Sequence, residues 1–186
     1  MTEAKEPNLA VKIASDPALQ KKIFSRLKEP QFGIPDGCED LIKGLGTIKS
    51  PDKSVLISKA TSPTDYQTQL EVLSKVQHLM DRTHDITTQL YFIQQHWNDL
   101  LKTASRLITL TYFDELNNLK DGVRKSVLAA VLQPIQDGVD RLQLLIERSE
   151  GTYKHLNGTV WNIKEGVEIT KEFLTLLKYG NAPREL

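Results

Sequence analysis

The chain has 186 residues, of which 39% are hydrophobic and 26% are charged, and it carries one cysteine, Cys38. This length and composition indicate one folded domain with a real core, and they exclude a disordered chain. A single cysteine excludes an internal disulfide and a cysteine-based zinc site. Lysine plus arginine and aspartate plus glutamate number 24 each, so no overall field attracts nucleic acid or an anionic membrane.

The N-terminal sequence lacks the basic segment and apolar core of a secretory signal. No window approaches 18 uninterrupted apolar residues, and the densest apolar run, Val127 to Leu132, is too short to cross a bilayer. We therefore expect a soluble cytoplasmic protein that has no membrane partner.

The first 61 residues are rich in proline and predict short helices joined by irregular segments. Ser15-Asp16-Pro17 opens a helix that Pro30 ends, and a second short helix is expected around Glu39 to Lys43. Residues 52–63 form a polar connector with one short apolar run, predicted as a strand or an extended arm. The first helix is amphipathic, with Leu19, Ile23, Phe24 and Leu27 on its apolar face and Lys21, Lys22, Arg26 and Lys28 elsewhere.

From Thr64 to Asp121 the chain contains neither glycine nor proline, which predicts a long helix. Its start is marked by Ser62 as a cap, Pro63 at the first helical position and Asp65 in the first turn. Two rows of residues, offset by four, each recur every seven positions in the manner of a coiled coil. The rows are Val72, Leu79, Ile86, Ile93, Leu100 and Leu107, and Val76, Thr83, Leu90, Trp97, Ala104 and Thr111.

The segment after Gly122 repeats this heptad pattern but contains several glycines. Asn157-Gly158-Thr159 has the composition of a turn, so the glycines either end the helix or lie outside its packed face. Gly138, Gly151, Gly158 and Gly166 all lie outside both rows, whose period continues through them, and we therefore predict a helix. The rows are Leu132, Val139, Ile146, Tyr153, Val160, Val167 and Leu174, and Ile135, Leu142, Ser149, Leu156, Ile163, Thr170 and Leu177.

Two heptad segments joined near Asn117 to Lys125 predict an all-α protein built on a long antiparallel helical hairpin. Two asparagines and Gly122 are expected to form the turn, and the alternative is one continuous helix. Equal counting from a turn near residue 122 places Trp97 at the level of Leu145 to Glu150. The predicted seam, within the hairpin or between copies, comprises Val72, Leu79, Ile86, Ile93, Trp97, Leu100, Leu107, Val139, Ile146, Val160, Ile163 and Val167.

No group of residues has the spacing of a catalytic or cofactor site. The four histidines are never three or four positions apart, as helical metal ligands must be, and GLGT at Gly44 to Thr47 lacks the lysine of a phosphate-binding loop. Cys38 has no adjacent base, so it is not predicted to be a nucleophile. We expect no enzyme activity, no cofactor and no metal.

The two long helices carry more apolar positions than one hairpin seam uses, which predicts a self-assembling homo-oligomeric scaffold or adaptor. Residues 62–186 would form the oligomerisation body, and residues 1–61 would engage a protein partner. The alternative is an oligomeric DNA-binding protein whose phosphate contacts are Lys21, Lys22, Arg26 and Lys28. The simpler interpretation of this cluster is the solvated face of an amphipathic helix. A second cluster, at the hairpin tip, is open to the same two interpretations and comprises Lys120, Arg124 and Lys125.

A small N-terminal helical module on a long helical hairpin is similar in architecture to the small terminase subunits of tailed bacteriophages. Those subunits are ring-forming proteins that recognise DNA and regulate a packaging motor. The resemblance implies a DNA-binding N-terminal module and a role in viral packaging. A membrane-acting helical protein, such as a pore former, is disfavoured because the sequence has no long apolar segment.

Overall fold

A computed structural model describes residues 9–49 and 63–180, and every regular element in these ranges is helical. The N-terminal part contains three short helices, with 3₁₀ turns at Phe24–Lys28 and Pro30–Phe32 between the second and the third. These helices are α1 (Leu9–Ala14), α2 (Pro17–Lys22) and α3 (Cys38–Gly46). The predicted connector at residues 52–63 lies outside the described residues except for Pro63.

Two long helices form the body of the protein, as the heptad rows predict. α4 spans Pro63–Thr111, α6 spans Asp121–Gly180, and the short α5 at Phe113–Asn117 lies between them in the chain. The long helices pack as an antiparallel pair, so the all-α hairpin with short N-terminal helices is confirmed.

Capping explains where the short helices begin. The Asp16 carboxylate accepts hydrogen bonds from the backbone N–H groups of Ala18 (2.8 Å) and Leu19 (3.4 Å), and Pro17 occupies the first helical position. Gly37 precedes α3 with a φ of +72°, a left-handed conformation that glycine adopts without strain. The amphipathic segment up to Pro30 is not one helix, because α2 ends at Lys22 and a 3₁₀ turn follows.

The hairpin turn is tighter than the sequence predicts. α5 ends at Asn117 and α6 begins at Asp121, so Gly122 is helical and residues 118–120 make the turn. Asp121 forms ion pairs with Arg124 (2.5 Å) and Lys125 (2.8 Å) in the first turn of α6. A carboxylate at the N-terminus of a helix also interacts favourably with the helix dipole. This interaction accounts for the start of α6 at Asp121, before the predicted turn residue Gly122.

Cross-helix hydrogen bonds establish the register of the pair. Gln94 bonds to Gln143 (2.8 Å), Thr87 to Ser149 (2.6 Å) and Thr170 to Gln69 (3.1 Å), so residue numbers rise in one helix as they fall in the other. These pairs are centred near residues 118–120, and Trp97 packs on Gly138. The predicted level of Trp97, at Leu145 to Glu150, is therefore wrong by about two helical turns, because the turn precedes residue 122.

The chain divides into two compact units, each of which includes part of both long helices. In the described residues, the first unit consists of 9–36 with 88–146, and the second consists of 37–49 and 63–87 with 147–180. The first unit's core joins α1 and α2 to the hairpin, and its buried residues include Ile13, Leu19, Ile23, Phe32, Leu100, Ala104, Ile108, Tyr112, Leu116 and Ile135. The second unit's core includes Val76, Leu156, Val160, Ile163 and Val167.

The glycines of α6 do not end the helix, which runs through Pro134, Gly138, Gly151 and Gly158. An ideal Cβ atom at Gly138 would overlap the six-membered ring of Trp97, so this glycine permits a close approach of the indole. Gly158 is exposed, and no atom lies within 4 Å of an ideal Cβ there. The heptad period therefore predicts this region correctly, and the Asn-Gly dipeptide is helical.

Candidate functional site

The centre of the seam is a heptad row on α6 that is almost inaccessible to solvent. The seventh member, Leu177, is 45% exposed, but the other six are each at most 1% exposed and comprise Ile135, Leu142, Ser149, Leu156, Ile163 and Thr170. On α4, the row offset by four supplies four buried positions, Val76, Thr83, Leu90 and Ala104, and Leu100 and Ile108 are buried outside this row. These two rows form the interior of the hairpin.

The predicted seam residues divide by burial. The fully buried ones are Leu100, Ile146, Val160, Ile163 and Val167. The half-buried ones are Leu79, Ile86, Ile93, Trp97, Leu107 and Val139. Val72 is 36% exposed and lies at the rim. The row from Val72 to Leu107 thus flanks the seam for most of its length, and Leu79, Trp97 and Leu107 of this row pack against the buried cores.

Polar side chains interrupt the apolar seam in the second unit, and they are hydrogen-bonded. The Thr87 and Ser149 hydroxyls lie 2.6 Å apart across the helices, and Thr170 donates to the Gln69 side-chain oxygen at 3.1 Å. Thr83, which is fully buried, donates instead to the Leu79 carbonyl of its own helix. Cross-helix polar pairs lose their partners if the helices slide, so these pairs specify the register.

Trp97 connects the hairpin to the N-terminal segment within the first unit. Its indole N–H donates to the Phe32 carbonyl at 3.0 Å, and the Phe32 ring lies edge-on at 5.8 Å between centroids. The opposite helix meets the indole at Gly138. A half-buried tryptophan whose N–H is bonded in this way is a structural anchor.

The basic cluster on and after α2 is solvent-exposed at all four positions, Lys21, Lys22, Arg26 and Lys28. Arg26 lies 3.8 Å from the Glu29 carboxylate. The apolar face behind the cluster is fixed, because Leu19 and Ile23 are buried and Phe24 and Leu27 pack against the same core. The structure thus places the basic residues outward on a docked segment.

The basic cluster at the hairpin tip is engaged locally. Arg124 and Lys125 both bind the Asp121 carboxylate, and these two contacts hold its pKa below the ordinary value. Lys120 is exposed in the turn. A phosphate group would have to displace Asp121 here, so this cluster is the weaker anion surface of the two.

The single thiol of the chain lies in a buried position. Cys38 is only 4% exposed, and burial, together with the nearby Glu39 carboxylate, raises the pKa of its thiol. Histidine, cysteine and carboxylate side chains in residues 9–49 and 63–180 do not gather into a set of three that would hold a metal. Over the same ranges, no helix combines the length and apolar character needed to cross a bilayer.

The C-terminal part of α6 carries a row of exposed apolar side chains, which we call the apolar row. It comprises Trp161 (66% exposed), Ile169 (37%), Phe173 (47%) and Leu176 (71%). Their spacing places them on one face of α6, to the side of the buried Ile163 and Thr170. The Lys164 ammonium lies 5.9 Å from the centre of the Trp161 ring.

Comparisons of the chain with protein-family models, with curated proteins and with solved structures find no match. The functional interpretation therefore rests on the basic clusters and the apolar row described above.

In the sequence, Trp161 lies next to Val160 of a seam row, which predicts that it faces a third helix or a neighbouring subunit, but the heptad rows do not identify the rest of the apolar row. The signal was present in the spacing of 8, 4 and 3 positions from Trp161 to Leu176. It was hidden because Leu177 and Leu174 extend the seam rows in the same segment. A segment with apolar residues on two faces gives a weak period, and only the packed structure separates the two faces.

Proposed function

We propose that this protein is a non-enzymatic helical scaffold whose copies associate through the apolar row of α6, while the N-terminal third engages a protein partner. The observation that carries the proposal is the exposure of Trp161, Phe173 and Leu176 on one helix face. Large apolar side chains grouped in this way on a protein surface mark an interaction site.

The extent of the apolar row fits an interface between two copies. At about 150–250 Å² for a whole aromatic side chain, the exposed fractions of its four side chains together offer on the order of 500 Å². Two such faces together would bury roughly 1,000 Å², the lower bound for a specific interface. The apolar row of a second copy is therefore large enough to cover this face in a specific interface.

The charges beside the apolar row suit self-association. Lys164 and Lys171 alternate with Glu165, Glu168 and Glu172, so neither sign dominates. The chain as a whole has a formal net charge of zero. Two copies that approach through this face therefore meet no long-range repulsion.

The test is the mass of the protein in solution, measured by light scattering after size exclusion. The unmodified chain of 21.0 kDa should elute with a mass that is a multiple of this value. Trp161→Glu combined with Leu176→Glu should reduce the mass to that of one chain. The matched control is Leu110→Glu with Leu144→Glu, which adds the same two charges at exposed leucines outside the row and should leave the mass unchanged. A monomeric unmodified protein would refute the proposal.

A second candidate function is DNA binding by the assembled protein, favoured by the outward placement of Lys21, Lys22 and Lys28. Neither Lys21 nor Lys28 forms an ion pair within the described residues. Four basic residues on a chain of zero net charge attract DNA only weakly, so the combined clusters of several copies in an oligomer would be needed for binding. Binding to duplex DNA measured at several salt concentrations tests this candidate, because each phosphate contact adds to the salt dependence.

A further inference from the structure

A cleft in the second unit lies between α3 and α6, away from the apolar row. Its volume is about 520 Å³, within the usual range for small-molecule sites. On α6, its lining residues are spaced three, four and seven positions from Arg148, which places them on one helix face. Apart from Ile42, the lining consists of Lys43, Gly46, Arg148, Gly151, Thr152 and His155.

Two cations of the cleft lack a carboxylate partner. Lys43 and Arg148 are both exposed, and neither forms an ion pair with any residue in the described part of the chain. By contrast, Arg124 and Lys125 both bind Asp121. The carboxylates that precede and follow Arg148, Glu147 and Glu150, have interactions of their own. The cleft therefore presents two positive charges that the described chain does not neutralise.

The Thr152 hydroxyl is the second unusual feature of the cleft. The Thr152 residue is only 7% exposed, yet its hydroxyl has no hydrogen-bond partner in residues 9–49 and 63–180. Thr159 and Thr175 of the same helix donate to the carbonyl four residues earlier, as helical threonines commonly do. No wholly enclosed side-chain polar atom in those ranges lacks a partner, so the accessible surface of the Thr152 oxygen opens into the cleft that it lines.

Neighbouring residues hold the cleft in shape and keep it open. The His155 Nε2 atom lies 2.5 Å from the Ile48 carbonyl oxygen, to which it donates, and this contact fixes the ring. Gly46 faces the Thr152 hydroxyl, which lies 3.5 Å from where a Cβ atom would be. No atom lies within 4 Å of an ideal Cβ at Gly151, so a side chain there would enter free space at the cleft.

We propose that this cleft binds the phosphate group of a small phosphate monoester. A monoester carries about 1.5 to 2 negative charges at neutral pH and three strong acceptor oxygens. Lys43 and Arg148 match that charge, and Thr152 supplies a neutral donor that is otherwise unsatisfied. The remaining volume, beside Ile42, accommodates the organic part of the ester. This site is independent of the association proposed above.

The test is calorimetric titration of the full chain with inorganic phosphate and with phenyl phosphate, at constant ionic strength. Phenyl phosphate should bind saturably and more tightly than inorganic phosphate. Lys43→Gln and Arg148→Gln should each weaken binding by roughly tenfold or more, the usual effect of losing one charged hydrogen bond. Thr152→Val should also weaken binding but leave thermal stability unchanged, because the hydroxyl forms no hydrogen bond with any residue in the described ranges.

Two glutamate substitutions on the same helix provide the sharpest control. Gly151→Glu places a carboxylate at the cleft and should abolish binding, whereas Gly158→Glu places one on an exposed part of α6 that does not line the cleft and should have no effect. The proposal is overturned if neither ligand binds saturably or if Lys43→Gln and Arg148→Gln bind like the unmodified chain. It is equally overturned if Gly158→Glu abolishes binding or if phenyl phosphate binds no more tightly than inorganic phosphate.

Discussion

The Tyr112 hydroxyl donates a hydrogen bond of 2.8 Å to Oδ2 of Asp16, while Oδ1 of the same carboxylate caps α2. Tyr112 lies at the break between α4 and α5, so one carboxylate links the start of a short N-terminal helix to the hairpin near its turn. Both residues belong to the first unit. This connection explains why α2 docks in a fixed position although it has only six residues.

The first prediction concerns the pH dependence of this link. The Tyr112 hydrogen bond and the Ala18 N–H hold the pKa of the Asp16 carboxyl below its ordinary value. Because the folded pKa is lower than the unfolded one, the stabilisation is present above about pH 4 and is lost as the pH falls through the folded pKa. Tyr112→Phe should therefore lower the urea midpoint at pH 7, and the difference from the unmodified chain should shrink below pH 4.

Asp16→Asn supplies the control for that experiment. Asparagine also caps helices, so α2 should persist, but the side chain cannot titrate. In the Asp16→Asn background, the effect of Tyr112→Phe on the urea midpoint should therefore no longer depend on pH. An equal effect of Tyr112→Phe at pH 3 and pH 7 in the otherwise unmodified chain would show that the carboxylate charge is not involved.

The second prediction compares two glycines of α6. Gly138→Ala places a methyl group where the Trp97 ring lies, and overpacking of this kind costs about 1–3 kcal/mol. Gly158→Ala meets no atom within 4 Å and should be neutral or stabilising by up to about 1 kcal/mol, because alanine favours the helix. Thermal unfolding of both variants measures the contrast. A large loss of stability from Gly158→Ala would contradict the helical assignment.

Gly138 also shows what the sequence can and cannot predict. The heptad period predicts that this glycine lies in a helix, outside the central row, because periodicity reports the buried face. It does not predict that Trp97 approaches Gly138, because the pairing level depends on where the turn begins. The ion pairs of Asp121 with Arg124 and Lys125 start α6 inside the segment Asn117 to Lys125, where the sequence predicts the turn. A small displacement of the turn shifts every contact along the hairpin.

For the candidate sites too, periodicity predicts which residues are buried but not which residues meet in the folded chain. Periodicity identified Ile163 and Leu156 as core residues, and it placed Lys21 and Lys22 outside the apolar face of α2. The cleft between α3 and α6 joins Lys43 to Arg148, which are far apart in the chain. Neither residue lies in a recognisable motif, so only tertiary structure brings them together.

The third prediction ranks substitutions across the seam. Ile163 is completely buried, so Ile163→Asp would bury an unpaired charge and should cost several kcal/mol, enough to unfold a marginal protein. Ile93 is only half-buried, and Ile93→Asp should cost less, because the carboxylate can reach water. Val72→Asp, at a position 36% exposed, should cost least. Urea titrations that give any other order would contradict the assignment of the central row.

The fourth prediction concerns the register of the hairpin. In a chain with Cys38→Ala, the pair Thr87→Cys and Ser149→Cys should form a disulfide within one chain, since the native hydroxyls lie 2.6 Å apart. The pair Thr87→Cys and Asn157→Cys would face each other only if the turn were centred at residue 122, so this pair should not form a disulfide. Non-reducing electrophoresis distinguishes the products, and disulfides formed only between chains would indicate one continuous helix.

The fifth prediction separates the two candidate roles of the N-terminal third. Replacing Lys21, Lys22, Arg26 and Lys28 with glutamine should abolish duplex DNA binding, if the assembled protein binds DNA, without changing its mass. If the segment instead docks a protein partner, Phe24→Ser and Leu27→Ser should disrupt that complex while the glutamine variant retains it. A fluorescence binding assay at low and high salt measures the first outcome. Tight DNA binding by a monomer would contradict the account in which an oligomer multiplies a weak cluster.

The association of copies through the apolar row is tested most directly by a distance measured between copies. With Cys38→Ala as background, one spin label at Glu172→Cys lies beside Phe173 and gives no distance within a single chain. Pulsed dipolar spectroscopy should therefore show a defined distance that arises only between copies. The signal should disappear when Trp161→Glu and Leu176→Glu are added, with helicity retained by circular dichroism. Absence of a defined distance in the singly labelled protein, or its persistence in the charged variant, would contradict the proposal.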